Sequence, residues 1–337
     1  MRICVVGAGA IGGILAVKLA VAGHEVCVVL RGPNLAAVQN GGMRLIEENG
    51  TELHAPGIRA TSVIADAGEQ DVIILGMKAH QVAPIADQLP AIMGLGTRII
   101  TMQNGIPWWY FHKLPEGMAQ GFAGQTIESV DPGGVIARHI PIESVIGSVV
   151  YPASEVISPG VIKVIEGNKF SLGELDGADT ASIREIAGAF RAAGLKTPVS
   201  RDIRSEIWLK LWGNLSFNPI SALTHSTLED LCTYPPTRNL VAAMMSEAQA
   251  IGEKLGVHFK VGIEQRIEGG RAVGQHKTSM LQDVESGRPL ELAALVGSVL
   301  DLARLTGLPA PSISAVHALA SLLAKNLQER HATLKIG

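Results

Sequence analysis

The chain opens on an apolar strand that runs straight into three spaced glycines, and few folds accept that order of residues. Ile3-Cys4-Val5-Val6 is short, apolar and β-branched, the texture of a strand buried on both faces of a parallel sheet. Gly7-Ala8-Gly9-Ala10-Ile11-Gly12 follows directly. In a G-x-G-x-x-G loop the first glycine permits the tight turn. The second lets the backbone approach a pyrophosphate, and the third lets the next helix pack on the strand. Residues 13–22 read as that helix, with its N-terminal amides facing the anion. Gly23 ends it, and residues 25–30 form a second strand. Glycines alone are weak evidence, but strand, glycines, helix and strand in register are specific. Gly7, Ala8, Gly9, Ala10, Ile11 and Gly12 are thus the expected phosphate-binding segment of a dinucleotide site.

The second strand ends at Leu30-Arg31. An NAD enzyme usually carries Asp or Glu here, which accepts from the ribose 2′-hydroxyl and would repel a 2′-phosphate. Arg31 would pair with that phosphate, so the expected cofactor is NADP(H). With 337 residues the chain is long enough for two domains. At 47% hydrophobic and 18% charged it reads as a compact soluble protein. A net charge of −3 without a long basic run argues against a nucleic-acid partner. No apolar run reaches the ~18 residues of a membrane span. A strand beginning at residue 2 leaves no room for a signal peptide. Cys4, Cys27 and Cys232 are widely spaced, without a C-x-x-C, as reduced thiols of a cytoplasmic protein would be. No His, Cys or carboxylate cluster has metal-ligand spacing, so no metal is expected.

The first ~115 residues alternate strand and helix patterns, which predicts a parallel, doubly wound α/β sheet. Residues 34–40 read as a helix and 71–76 as a strand, with Lys78 just beyond it. Residues 97–102 are another strand, followed by Gln103-Asn104-Gly105. Ligands of open α/β sheets bind outside the carboxyl ends of strands, which makes Lys78 and Asn104 candidate contacts. Residues 144–151, 160–166 and 169–172 read as the far, partly antiparallel edge of the same sheet, 180–193 as a helix and 196–199 as a last strand. Beyond Asp202 the periodicity is helical almost throughout. The expected domains are therefore 1–200, binding NADP, and 201–330, a bundle of six or seven helices for substrate and dimerisation.

The chemistry-bearing helix is Ile207-Trp208-Leu209-Lys210-Leu211-Trp212-Gly213-Asn214-Leu215-Ser216-Phe217-Asn218-Pro219. Lys210, Asn214 and Asn218 fall at i, i+4 and i+8 on one face, with Trp208, Leu211, Trp212 and Leu215 opposite. Asn is a poor helix former, so two of them on one stripe suit a merely solvated face badly. A lysine ammonium there could hydrogen-bond a ketone oxygen and give it a proton as hydride arrives. Ser279-x-x-Gln282 has capping-box spacing, and a helix N-terminus also suits a carboxylate. Pro289 fits the first turn of a helix, where the dipole would favour Glu291.

Together these motifs resemble ketopantoate reductase (2-dehydropantoate 2-reductase). The resemblance rests on Gly7–Gly12, Met77-Lys78-Ala79, Gln103-Asn104-Gly105, Lys210…Asn214…Asn218-Pro219, Ser279-Met280-Leu281-Gln282-Asp283, and the interval from Ser279 to Glu291. It runs from residue 1 to about 325. It implies a Rossmann-type N-terminal domain and an all-α C-terminal domain, 6-phosphogluconate dehydrogenase C-terminal-like. It also implies NADPH-dependent reduction of ketopantoate to (R)-pantoate, for coenzyme A synthesis. Lys210 would be the proton donor, and Asn104 would orient the carbonyl oxygen near the nicotinamide. Asn214 and Asn218 would bind substrate, and Ser279 its carboxylate. Glu291 would fix a substrate hydroxyl or a cofactor ribose, with Arg31 and Lys78 serving the cofactor. The expected partner is a small 2-oxo acid. The apolar stripe Leu290–Leu305 would suit a homodimer.

Three departures keep other readings open. Glu291 is followed by Leu292-Ala293-Ala294-Leu295 where the family commonly has polar residues. Trp108-Trp109-Tyr110-Phe111 is a run of aromatics in a chain only 4% aromatic, either packed as core or walling a pocket. Extra residues lie between Asn104 and Lys210. A reductase of a bulkier 2-oxo acid is one alternative, and a non-catalytic NADP-binding sensor is another.

Overall fold

The computed structural model describes residues 1–330 and 332–335, which divide into two compact units. The first holds Met1–Asn104, His112–Pro115 and Gly134–Ile203. The second holds Gly105–Phe111, Glu116–Gly133 and Arg204 onward. The main division thus falls three residues after the Ser200 of the sequence reading, while 105–111 and 116–133 group with the helices. Tyr110 explains the grouping: its carbonyl accepts from Arg204 Nε at 2.9 Å and its hydroxyl from Trp208 Nε1 at 2.8 Å.

The first unit begins with β1 (Arg2–Val6), α1 (Ala10–Val21), β2 (Glu25–Val29) and α2 (Gly32–Gly41). Next come β3 (Met43–Ile46), β4 (Glu52–Ala55), β5 (Arg59–Thr61), β6 (Gln70–Leu75) and β7 (Met93–Thr101). The chain then passes through α3 (Val135–His139), β8 (Val145–Val150), β9 (Ala153–Ser158), β10 (Val161–Glu166), β11 (Phe170–Glu174) and α4 (Ala181–Ala192). The main sheet has the order β11-β8-β7-β6-β1-β2-β5, parallel except for β11. Ile3, Val5, Val26, Val28 and Ile74 share one core with Ile14 and Leu15 of α1 and Ile183 and Phe190 of α4. Cys4, Cys27 and Ile73, which alternate with them, are buried too, so the strands are covered on both faces.

Two expectations about the sheet are corrected. Residues 160–166 do not extend the main sheet. They form β10, which pairs with β3 and β9 in a separate sheet of order β4-β3-β10-β9. The second sheet lies over α1, where Gly13 leaves room: a Cβ there would stand 2.6 Å from Ile162 Cδ1. Residues 196–199 make only the isolated bridges Lys169–Lys196 and Leu172–Val199. Pro198, lacking an N–H, cannot complete a ladder between them.

The second unit is helical, with α5 (Ile203–Thr224) entering it at Arg204. It continues with α6 (Leu228–Thr233), α7 (Pro235–Lys254), α8 (Ile263–Ala272), α9 (Ser279–Glu285), α10 (Ser298–Thr306) and α11 (Pro311–Glu329). Trp212 of α5 stacks on Phe259 at 4.4 Å and donates to the Met245 carbonyl. The stripe Leu290–Leu305, expected as a dimer face, is spent inside this unit. Leu292, Leu295, Val296, Val299 and Leu302 are all buried, and α10 packs against α7. Among the described residues no helix is long and apolar enough to cross a membrane.

Gly12 is fixed by sterics, since a Cβ there would lie 2.3 Å from the Gly7 carbonyl oxygen. Gly12→Ala is expected to cost about 1–3 kcal/mol through overpacking. Urea denaturation followed by circular dichroism measures this, and an unchanged midpoint would mean the loop relaxes freely.

Candidate active site

Within the first unit, four parallel strands deliver their carboxyl ends to one edge of the sheet. β1 ends at Gly7, β2 at Leu30-Arg31, β6 at Gly76-Met77-Lys78 and β7 at Met102-Gln103-Asn104. The ladder continues into these turns: Gly7 N–H donates to Val29, Gly76 N–H to Val6 and Met102 N–H to Leu75. Gly7–Gly12, Arg31, Lys78 and Asn104 are therefore brought to the same edge.

A dinucleotide fits this edge. Gly9 is the N-cap of α1, has no side-chain cap and would meet nothing within 4 Å even with a Cβ, so the first amides of α1 stand open to an anion. No acidic residue lies in the first turn to oppose one. Gly7 sits at φ +88° with Met77 N only 2.9 Å from a built Cβ, which brings the Met77-Lys78 turn against the glycine loop. Arg31 is exposed at the N-cap of α2. Gln103, to which the sequence reading gave no role, holds two of these turns together. Its Nε2 donates to the carbonyls of Leu75 and Met77 at 2.8 and 2.9 Å, tying the segment before Asn104 to the one before Lys78. Its place at a strand end and in the Gln103-Asn104-Gly105 motif was the sequence signal, and neither names its partner.

In the second unit α5 presents the expected stripe. Lys210 and Asn214 are half-buried and Asn218 is buried, while Trp208, Leu211, Trp212 and Leu215 are wholly enclosed on the other side. Burial pushes the Lys210 amine down to about 8, and the Glu291 carboxylate acts against that shift. An ammonium in this range is still mostly protonated at neutral pH and gives up its proton readily. Asn218 Nδ2 donates to Ser279 Oγ at 3.4 Å, which brings two of the expected substrate contacts together.

The local reasons for Ser279 and Glu291 differ from those read in the sequence. Thr278, not Ser279, caps α9: its Oγ1 accepts from Leu281 N, and Gln282 Nε2 donates to the Lys277 carbonyl instead of closing a capping box. Ser279 is the first residue of α9, its hydroxyl released from capping. Pro289 and Glu291 precede the next helix instead of lying in its first turn. That helix starts at Leu292 and runs through a π-turn, Ala293–Gly297, before α10, and the Glu291 carbonyl accepts from Leu295 N. Turns of this kind gather at functional sites.

The aromatic run packs as core. Trp108, Trp109, Tyr110 and Phe111 are at most 6% exposed, and the Arg204 guanidinium lies 5.3 Å from the Trp109 ring centre. These residues anchor the 105–111 segment to α5.

Residues 3–109 match the family described as ketopantoate reductase PanE/ApbA, and residues 202–324 match its C-terminal part. A 2-dehydropantoate 2-reductase of Mesorhizobium japonicum is 52% identical over 325 residues, 96% of this chain and 98% of that protein. A crystal structure of a Ralstonia solanacearum MolK2 protein classed with ketopantoate reductases superposes with a TM-score of 0.91 at 39% identity, covering 97% and 98% of the two chains. The fold also occurs in D-mandelate dehydrogenase, solved with NADH and anilino(oxo)acetate, at a TM-score of 0.81 and 19% identity over 97% and 99%. The glycine loop, the Lys210 stripe and these likenesses agree: the chain belongs to the ketopantoate reductase family of nicotinamide-dependent oxidoreductases.

Proposed function

We propose that this chain reduces the 2-oxo group of ketopantoate to (R)-pantoate, for coenzyme A synthesis, using NADPH. The observation that carries this reading is Lys210, an amine lowered to about 8 by burial on a helix that also bears Asn214 and Asn218. When bound, NADPH would supply the hydride for the 2-oxo carbon. Lys210 hydrogen-bonds the oxygen as its charge grows, and its N–H bond breaks as the O–H bond forms. The neutral amine left behind regains a proton from water. Asn104 steadies the same oxygen. Asn214 and Asn218 hold substrate, and Ser279 donates to its carboxylate, with the Asn218 amide already turned to the Ser279 hydroxyl. Glu291 accepts from a substrate hydroxyl or a cofactor ribose. Holding these groups ready lowers the barrier, because the ordering cost is met before reaction.

The fold by itself does not choose between NADPH and NADH, as the D-mandelate dehydrogenase complex illustrates. Arg31 makes the choice here, with Lys78 on the turn after β6, across the glycine loop from it. A guanidinium pairs bidentately with a 2′-phosphate and has no counterpart on a 2′-hydroxyl. The bulkier-substrate reading loses one of its two supports once the aromatic run is core.

Lys210→Ala should lower kcat by at least about 100-fold while NADPH affinity stays nearly constant. Steady-state kinetics and cofactor titration measure this, and an undiminished kcat removes Lys210 from the reaction. Arg31→Ala should weaken NADPH by about 10- to 100-fold and leave NADH unchanged, by fluorescence titration; equal losses would rule out phosphate pairing. The rate of reduction should fall as pH rises through about 8, because the reactive form is the ammonium. In Glu291→Gln that falling limb should move to lower pH, since the carboxylate supports the charged form. A limb unmoved or shifted upward contradicts the assignment.

A further inference from the structure

The π-turn after Glu291 has a definite partner. In an α-helix the Ser298 N–H would take the Ala294 carbonyl; here it takes Ala293, one residue further back. The Ala294 oxygen accepts instead from the Ile106 N–H at 3.1 Å and from the Ser298 hydroxyl at 2.7 Å. The approach is so close that the residue before Ile106 has no room for a side chain. Gly105 sits at φ +93°, and a Cβ on it would lie 2.1 Å from the Ala294 oxygen. On its other side the turn is held by Gly297, whose built Cβ would lie 3.1 Å from Ser129 Oγ, while Ser129 N–H donates to Asp301 of α10 at 2.8 Å.

We propose that Gly105 is a positioning residue: by admitting the Ala294 carbonyl it fixes the π-turn that holds the Glu291 carboxylate within electrostatic reach of Lys210. The inference rests on the roles given above to Glu291 and Lys210, and adds to them the group that sets their separation. The π-turn frees the Ala294 oxygen by moving a helical bond back by one residue. The clasp then places the first turn, whose Leu295 N–H bonds the Glu291 carbonyl, against the loop that starts one residue after Asn104. Charged groups near this stretch of α5 include Glu206, one turn before Lys210, Arg266 of α8, whose Nη2 would stand 2.3 Å from a Cβ on Gly213, and Glu291. Glu291 is the one that raises its pKa. A small shift of the π-turn therefore changes the proton donor without touching it.

The test compares Gly105→Ala, Glu291→Gln and the double variant. The readouts are the pH profile of ketopantoate reduction and the pH dependence of Lys210 acylation, followed by peptide mass spectrometry. Acylation needs no substrate, so it stays informative even if ketopantoate is not turned over. Gly105→Ala should lose turnover by about 100-fold, the usual cost of a misplacement near 1 Å. It should also move the Lys210 titration to lower pH, as Glu291→Gln does, and the double variant should go no lower than Glu291→Gln alone. Should Gly105→Ala not fold, Ser298→Ala removes one of the two donors to the Ala294 oxygen and should move the titration the same way by less. A Lys210 titration unchanged in the folded variants would overturn the proposal, as would shifts that simply add in the double variant. Either result would leave Gly105 a structural glycine.

Discussion

A cation held half out of water on a helix whose opposite face is apolar is the constraint around which the second unit is arranged. Lowering Lys210 from 10.5 to about 8 corresponds to a penalty on the order of 3 kcal/mol against its charged form. The protein tolerates this because α5 is anchored on its other side by large apolar contacts: the Trp212–Phe259 stack, the Trp208 bond to Tyr110 and the buried Leu211 and Leu215. Were the amine fully solvated it would hold its proton too tightly to act as an acid near neutrality. Were Glu291 absent, burial would draw the amine lower still. The reactive range is therefore a difference between two opposing effects, and it depends on where the Glu291 backbone is held.

Glycine decides several of those positions by what it leaves out. Gly12 makes way for the Gly7 carbonyl, Gly7 for the Met77 backbone, Gly105 for the Ala294 carbonyl and Gly213 for the Arg266 guanidinium. In the first three, backbone segments approach more closely than any side chain would allow; at Gly213 the space is filled by the end of the Arg266 side chain. The polar groups beside them, the α1 amides, Lys78 and Glu291, inherit their positions from that approach. A methyl group at such a place acts at a distance, through backbone displacement, on residues that carry the chemistry.

Much of this was legible in the sequence, for physical reasons that can be named. The strand–glycine–helix opening is a local pattern, so α1, β2 and the exposed Arg31 follow from it directly. The i, i+4, i+8 stripe on α5 is likewise set by helix geometry. What stayed hidden was tertiary. The second sheet depends on Ile162 meeting Gly13 of α1, across nearly 150 residues of chain, and nothing local announces it. Thr278 and Ser279 are both competent caps, and only the fold chooses Thr278. Leu292, Leu295 and Val296 look like an interface stripe in isolation because amphipathic spacing does not say which neighbour covers it. The π-turn has no sequence mark either, since its cause is the Ile106 N–H arriving from elsewhere in the unit.

Arg31 and Lys210, two of the cationic groups proposed to meet ligands, show opposite designs, and the contrast follows from what each would do. Arg31 stands exposed at the N-cap of α2, where, in its proposed role, water would solvate its charge until a phosphate replaced it. It needs only to bind, and a guanidinium binds well from solution because its fork is rigid and its charge permanent. Lys210, as the proposed proton donor, must change protonation state during the reaction, so it needs an environment that makes its two states comparable in free energy. Burial supplies that, and an arginine at the same place could not, because its proton stays on at any pH a protein meets. In these proposed roles, selectivity for the cofactor could evolve at the surface by exchanging one exposed side chain, whereas the proton donor would be bound to the packing of α5, the π-turn and the loop at Gly105 all at once.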